Sequence, residues 1–274
     1  MAETIGSILK ARRKALKRSQ IQVADNICSQ SMLSAIENDH YTPNAQLLIA
    51  LCKRLEISLD TISLATNYAI GTSQRLNEKL VSLCNQHQYK ALLAFLLDEQ
   101  VIQSVKDEAQ TQAYYYYLGV AQLQATSTPD LDTVHHALQL SLASATPLQA
   151  SLTRLTQATL ACVAAKTNHP DVALAKCDAA LAAIASAPYD ENLNIVFYLV
   201  ALAHHLLGQE QIASATVLSG IDFSTDHGSH YMLANSYYLI AIIAEQLGQA
   251  DKRTEAAAQS KFLAGLFNER VYKI

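Results

Sequence analysis

The chain has 274 residues, half of them apolar, with only 8 Gly and 5 Pro; apolar positions recur at three- and four-residue steps and no alternating strand pattern competes, which points to an all-α protein long enough for two domains. Its formal charge of −4 is uneven: residues 1–70 carry eight Lys/Arg against six Asp/Glu, residues 71–274 twelve against eighteen, and the basic excess sits in KARRKALKR at 10–18, either a solvated helix face or a phosphate-contacting patch. The five widely spaced cysteines without a C-x-x-C read as buried thiols in a reducing compartment, and no apolar run reaches the ~18 residues of a membrane span, so a cytoplasmic protein without membrane contact is expected.

Residues 1–62 read as five short helices, in a first domain over 1–65. The first helix, from about Thr4 to Leu16, turns Ile5, Ile8, Leu9 and Leu16 inward. Ser19 is placed to cap a second helix that buries Ile21, Val23 and Ala24. Ser29 then caps a third, with Met32 or Leu33 and Ile36 on its inner side. Tyr41-Thr42-Pro43-Asn44 is a turn into a fourth helix, capped by Asn44, with Leu47, Leu48 and Leu51 inside. The fifth begins after Ile57-Ser58.

The outward positions of the third helix, Gln30, Ser31, Ser34 and Asn38, are small hydrogen-bonding side chains rather than Lys and Glu. Two short helices joined by a tight turn, the second with such a face, suit a helix-turn-helix that lays its second helix in the DNA major groove. There Gln pairs bidentately with adenine and Ser reads either sense. The candidate DNA contacts are Arg13, for phosphate, with Ser19, Gln20, Ser29, Gln30, Ser31, Ser34, Asn38 and Asn44. Ser19-Gln20, Val23-Ala24, Ser34-Ala35-Ile36-Glu37-Asn38, Pro43 and LEISLD at 55–60 resemble an Xre/Cro-type domain. The turn is one residue shorter than usual, and ADNICSQ is similar to the Rgg/PlcR branch. Asn26 stands where that branch commonly has Gly, and Asn tolerates a left-handed backbone.

After a linker at 66–73, residues 74–274 form a string of about five helix pairs. LLGQEQIASA at 206–215 and QLGQADKRTEAA at 246–257 match at a spacing of 40, and KTNHPDVALA at 166–175 falls in the same register. Such a period indicates a helical solenoid, and the register resembles degenerate tetratricopeptide repeats. The first helix of each pair should line the concave side. With Gly208 and Gly248 as loop glycines, Ala201 and Ala241 fall at helix crossings, while Tyr198, Leu202 and His205, and Asn235, Tyr238 and Ile242, point into the groove. One period earlier Arg154 and Ala158 do so, and around Gly119, Tyr116 and Val120. Apolar pockets with a few amide, phenol and guanidinium groups suit an extended peptide. Each of these residues could equally be packing, and Asn194 reads as a cap or surface residue. Of the run Tyr114–Tyr117, only one or two can face the groove, because successive helical positions are about 100° apart.

His227-Gly-Ser-His230 lacks the ligand spacing of a zinc site, so no metal is assigned. No nucleophile elbow or phosphate-binding glycine loop occurs, so neither an enzyme nor a cofactor is expected. The two parts together resemble the RRNPP family of peptide-sensing regulators, Rgg/PlcR-like. That resemblance implies a cytoplasmic quorum-sensing transcription factor that binds double-stranded operator DNA and a short apolar signalling peptide. It also implies a homodimer formed through the repeats, with RNA polymerase a candidate further partner. The competing readings are a helix-turn-helix repressor whose repeats only dimerise or bind a protein partner, and an enzyme or peptidase regulator whose helix-turn-helix domain is vestigial.

Overall fold

A computed structural model describes residues 5–41, 43, 45–55, 67–147, 150–267, 269 and 271. They fall into two compact units, 1–64 and 65–274.

In the first unit, α1 (Ile5–Ala15), α2 (Gln20–Ala24), α3 (Gln30–Glu37) and α4 (Ala45–Leu55) enclose a small core of Leu9, Val23, Ala24, Leu33, Ile36, Leu51, Cys52 and Leu55. Leu16, Leu47 and Leu48 pack at its edge. Ser19 caps α2 in a capping box with Gln22, and Ser29 caps α3 through Met32 N. Asn26, in the turn between them, has φ +57°, the left-handed conformation that Asn tolerates. Gly6 sits where α1 crosses the end of α3: a Cβ there would lie 2.2 Å from the Ile36 carbonyl oxygen. One inward assignment is corrected: Ile21 is 70% exposed, because α2 is little more than one turn long, whereas of Met32 and Leu33 it is Leu33 that packs inside. The fifth helix, the Asn44 cap, the start of the linker and the side chains of Ile5 and Ile8 lie outside the described residues.

The second unit contains α5 (Gln74–Asn85), α6 (Tyr89–Leu96), α7 (Glu99–Ser104), α8 (Glu108–Gln124), α9 (Leu131–Ala143), α10 (Ala150–Lys166), α11 (Pro170–Leu181), α12 (Asn192–Leu206), α13 (Glu210–Asp226), α14 (Leu233–Gln246) and α15 (Ala250–Phe267). They pack as consecutive antiparallel pairs, α5/α6, α8/α9, α10/α11, α12/α13 and α14/α15, with the short α7 after the first. The 40-residue period has a conformational basis. Gly208 and Gly248 have φ +71° and +69°, and Asn168, one period earlier, has φ +58°. Each ends a helix, and the next N–H closes back on a carbonyl five residues before: His169 on Ala164, Gln209 on His204, Gln249 on Ala244. His87 ends α5 in the same way. Ala201 and Ala241 are buried at the crossings, and Ala121 and Ala161 hold the same register. Only small residues allow such approach: a Cβ on Gly220 would meet Phe197 Cβ at 2.6 Å, and one on Gly119 would meet Leu138 at 2.8 Å.

Candidate nucleic-acid interface and ligand groove

The outer face of α3 is organised from beneath by one buried carboxylate. Glu37 receives Arg13 Nε and Nη2 at 2.6 and 2.8 Å, and Gln20 Nε2 at 2.8 Å. Gln20 is thereby oriented with its amide oxygen outward, where it accepts from Gln30 Nε2 at 2.7 Å. A chain of donors and acceptors thus runs from Arg13 to Gln30, and it fixes which end of the Gln30 amide is turned away from the protein. Burial pushes the Glu37 carboxyl up, but the hydrogen bonds from Arg13 and Gln20 outweigh it and hold the group below its ordinary value.

Gln30 and Ser31 are exposed and Ser34 is half-buried on the same helix. Ser29 and Ser31 share a hydroxyl contact at 2.9 Å. Asn38 is bonded within the unit, accepting from Lys10 Nζ at 2.8 Å and donating to the Ser34 carbonyl. The Arg13 guanidinium is engaged by Glu37 and by the Arg18 carbonyl, which gives it a structural role within the unit. Much of the basic run behaves alike. Arg12 bonds the Leu55 carbonyl and Arg18 the Arg54 carbonyl, tying α1 to the end of α4, while Lys14 and Lys17 are exposed.

In the second unit α8, α10, α12 and α14 adjoin one another. Tyr116 and Val120 on α8, Leu199 and Leu202 on α12, and Tyr238 and Ile242 on α14 are half-buried along them. The array coils on itself. Asn192, at the start of α12, donates to Tyr68 OH at 2.9 Å, 124 residues away in sequence. Burial pushes the Tyr231 phenol up, and Glu269 adds to this. Three buried side-chain atoms on successive first helices, Gln122 Oε1 of α8, Gln157 Oε1 of α10 and Tyr198 OH of α12, have no hydrogen-bond partner among the described residues. Folded proteins leave few such groups unsatisfied.

The expected groove residues separate into two sets. Asn235 meets Glu269, whose carboxylate takes both its side chain and its backbone N–H, and Tyr198 packs in one core cluster with Met232, the residue before α14. Leu202 and Ile242 flank them. Arg154 does not join: its Nη1 donates to the Ala180 carbonyl at 2.7 Å and closes the end of α11 in its own pair. Tyr116 packs against three core clusters, so it serves as a junction between α8 and α10. Ala158 is fully buried, and His205 is bonded to Glu210 in its own turn. Asn194 is also corrected: at 2% exposure it is neither surface nor cap, and its amide donates to Ser229 Oγ and the Tyr231 carbonyl, fastening α12 to the loop before α14. Tyr114 and Tyr117 are core, Tyr115 and Tyr116 half-buried. His227 stacks on Tyr189 at 4.0 Å and His230 on Phe267 at 3.9 Å.

The helix-turn-helix family matches residues 9–62. A comparison with curated protein sequences finds no match. Among solved structures, PlcR of Bacillus thuringiensis in complex with the peptide PapR7 and DNA is similar, with a TM-score of 0.60 and 20% identity over 97% of this chain and 96% of that one. The apo form of PlcR gives 0.58 and 16% over 97% and 95%. The whole chain has the PlcR fold. Within it, no described helix is long and apolar enough to cross a membrane.

Sequence reasoning missed Gln122 and Gln157, whose buried amide oxygens have no partner among the described residues. Gln122 was accessible: it stands two periods before Leu202, so extending the 40-residue register once more would have selected it. Glu269 carried no signal, since its role depends on the chain returning to α14 after α15 ends.

Proposed function

We propose that this chain is a cytoplasmic transcription regulator of the quorum-sensing type. The face of α3 reads operator DNA, a short apolar signalling peptide binds along the inner side of the repeats, and the active species is a homodimer. Three buried atoms without partners among the described residues, Gln122 Oε1, Gln157 Oε1 and Tyr198 OH, on three successive first helices, are the observation that carries the peptide reading. An extended peptide brings backbone donors and acceptors with which such groups can pair. The similar PlcR structure contains a peptide and DNA, which supports the same assignment. Phe262 and Leu266, one turn apart on α15 and 67% and 39% exposed, are apolar residues that a self-contact would cover.

Selection from random duplexes followed by footprinting tests the DNA half. Two recognition helices related by a twofold axis should select an inverted repeat with half-sites about 10 bp apart, or a multiple of that. Gln30→Ala should relax one base position per half-site, at about 1–3 kcal/mol, while leaving the folded domain intact. An asymmetric footprint unchanged by Gln30→Ala overturns the assignment. Retention of heptapeptides from an apolar library on immobilised protein tests the other half. A library that yields nothing leaves the repeats as a dimerisation or protein-binding module.

A further inference from the structure

The first turn of α14 is capped by a residue from far along the chain. Met232, immediately before it, has φ +72° and makes no side-chain cap. Glu269 supplies the acceptors instead: Oε2 takes Ala234 N at 3.3 Å, and Oε1 takes Asn235 N at 3.2 Å and Asn235 Nδ2 at 2.5 Å. Backbone amides at a helix N-terminus together with a buried carboxamide make a carboxylate receptor. One more donor comes from the adjacent α12: Tyr198 packs in one core cluster with Met232, the residue before α14. It is 4% exposed, and its hydroxyl has no partner among the described residues. Burial pushes that phenol up, and Cys162, Tyr238 and Glu269 add to the shift. Glu269 thus takes three donors of the first turn of α14, while the Tyr198 hydroxyl is unpartnered among the described residues.

We propose that Asn235, the first amides of α14 and Tyr198 form a carboxylate-binding subsite of the groove, that Glu269 is its intramolecular occupant, and that the carboxylate of an incoming peptide replaces Glu269. This rests on the peptide reading above and adds to it the chemistry of one end of the ligand. The free C-terminal carboxylate of a short peptide fits, with its last apolar side chains against Tyr238 and Ile242; an acidic side chain offers the same group. A resident glutamate acts as a tethered competitor, and tethering of this kind supplies millimolar effective concentrations. It lowers the apparent affinity of any ligand by the fraction of time for which it holds the site.

The test uses the full chain, as wild type, Glu269→Ala, Glu269→Gln and Glu269→Ala/Asn235→Ala, with circular dichroism to establish that each is folded. The probes are N-acetyl-leucine, its neutral amide, and N-acetyl-glutamate α-amide, which carries only a side-chain carboxylate. Calorimetry and thermal shift should show N-acetyl-leucine binding Glu269→Ala about tenfold more tightly than wild type. Glu269→Gln should fall between them, and the double variant should lose the gain. The neutral amide should bind none of them. Preference for N-acetyl-leucine names the α-carboxylate as the natural group, and preference for the glutamate probe names an acidic side chain; either supports the subsite. Equal affinity in wild type and Glu269→Ala, or equal binding of acid and neutral amide, overturns it. A heptapeptide library with free or amidated C-termini separates the two ideas. Acids that bind Glu269→Ala while no heptapeptide is retained sink the peptide reading and keep the subsite. Free-acid heptapeptides retained equally by wild type and Glu269→Ala sink the subsite and keep the reading.

Discussion

Glu37 has a fully buried side chain and shares its two oxygens between Arg13 and Gln20, so three residues of one unit depend on a single charge. Removing one member of a buried, hydrogen-bonded ion pair leaves the other desolvated and unpaired. Arg13→Ala should therefore destabilise the first unit by about 3–5 kcal/mol, read as a loss in its denaturant midpoint. The carboxyl of Glu37 is held below its ordinary value of 4.5, so the stability it contributes is present above that pH and disappears as pH falls through the lower folded-state value. Glu37→Gln should flatten that acid limb of a melting-temperature profile; an unchanged limb would place the acid sensitivity elsewhere. These roles also show where reading by residue stops. The sequence displays the charge of Arg13 but not its partner Glu37, which lies 24 positions away. Gln30, by contrast, was legible, because its exposure follows from the burial of Leu33 and Ile36 on the same short helix.

Elements were more legible than residues, because helix ends are punctuated by local chemistry that repeats. The register through Gly208 and Gly248 located the turns of the last pairs, and both glycines adopt positive φ. Gly208→Ala and Gly248→Ala should each cost about 1–2 kcal/mol, since an L side chain is strained there although nothing lies within 4 Å of the new Cβ. Gly220→Ala tests the opposite case. Its backbone is helical, but the added methyl meets Phe197, so overpacking of about 1–3 kcal/mol is expected despite better helix propensity. Urea midpoints for the three variants distinguish conformational strain from steric conflict, and a stabilised Gly220→Ala would mean that α12 and α13 can separate freely. Asn168 holds the glycine conformation without being glycine, which explains why that repeat looked degenerate. Ile21 shows the limit of periodicity: α2 has five residues, too few for a pattern to define which side is inward.

For the molecule as a whole, a regulator needs the ligand state of the repeats to bias what the DNA-reading unit does, and such coupling is reciprocal. A peptide that changes operator affinity must have its own affinity changed by the same factor when operator is present. The start of the second unit offers a route for this. Tyr68 donates its backbone N–H to Tyr117 OH of α8 at 2.9 Å and accepts at its own hydroxyl from Asn192 of α12, so the stretch at 66–73 is bonded to two helices of the second unit. Its ring also packs against the core clusters of both regions. Tyr68→Phe keeps the ring and the backbone bond and removes only the link to Asn192. Calorimetric titration of a library-selected heptapeptide, with and without operator, should give a coupling in wild type of about 5–150-fold. In Tyr68→Phe that factor should shrink toward unity while peptide affinity without operator stays within about twofold, since the hydroxyl lies outside the proposed peptide contacts. A coupling factor unaltered by Tyr68→Phe would show that ligand state reaches the DNA-reading unit by another path, such as a change in how two copies of the chain associate.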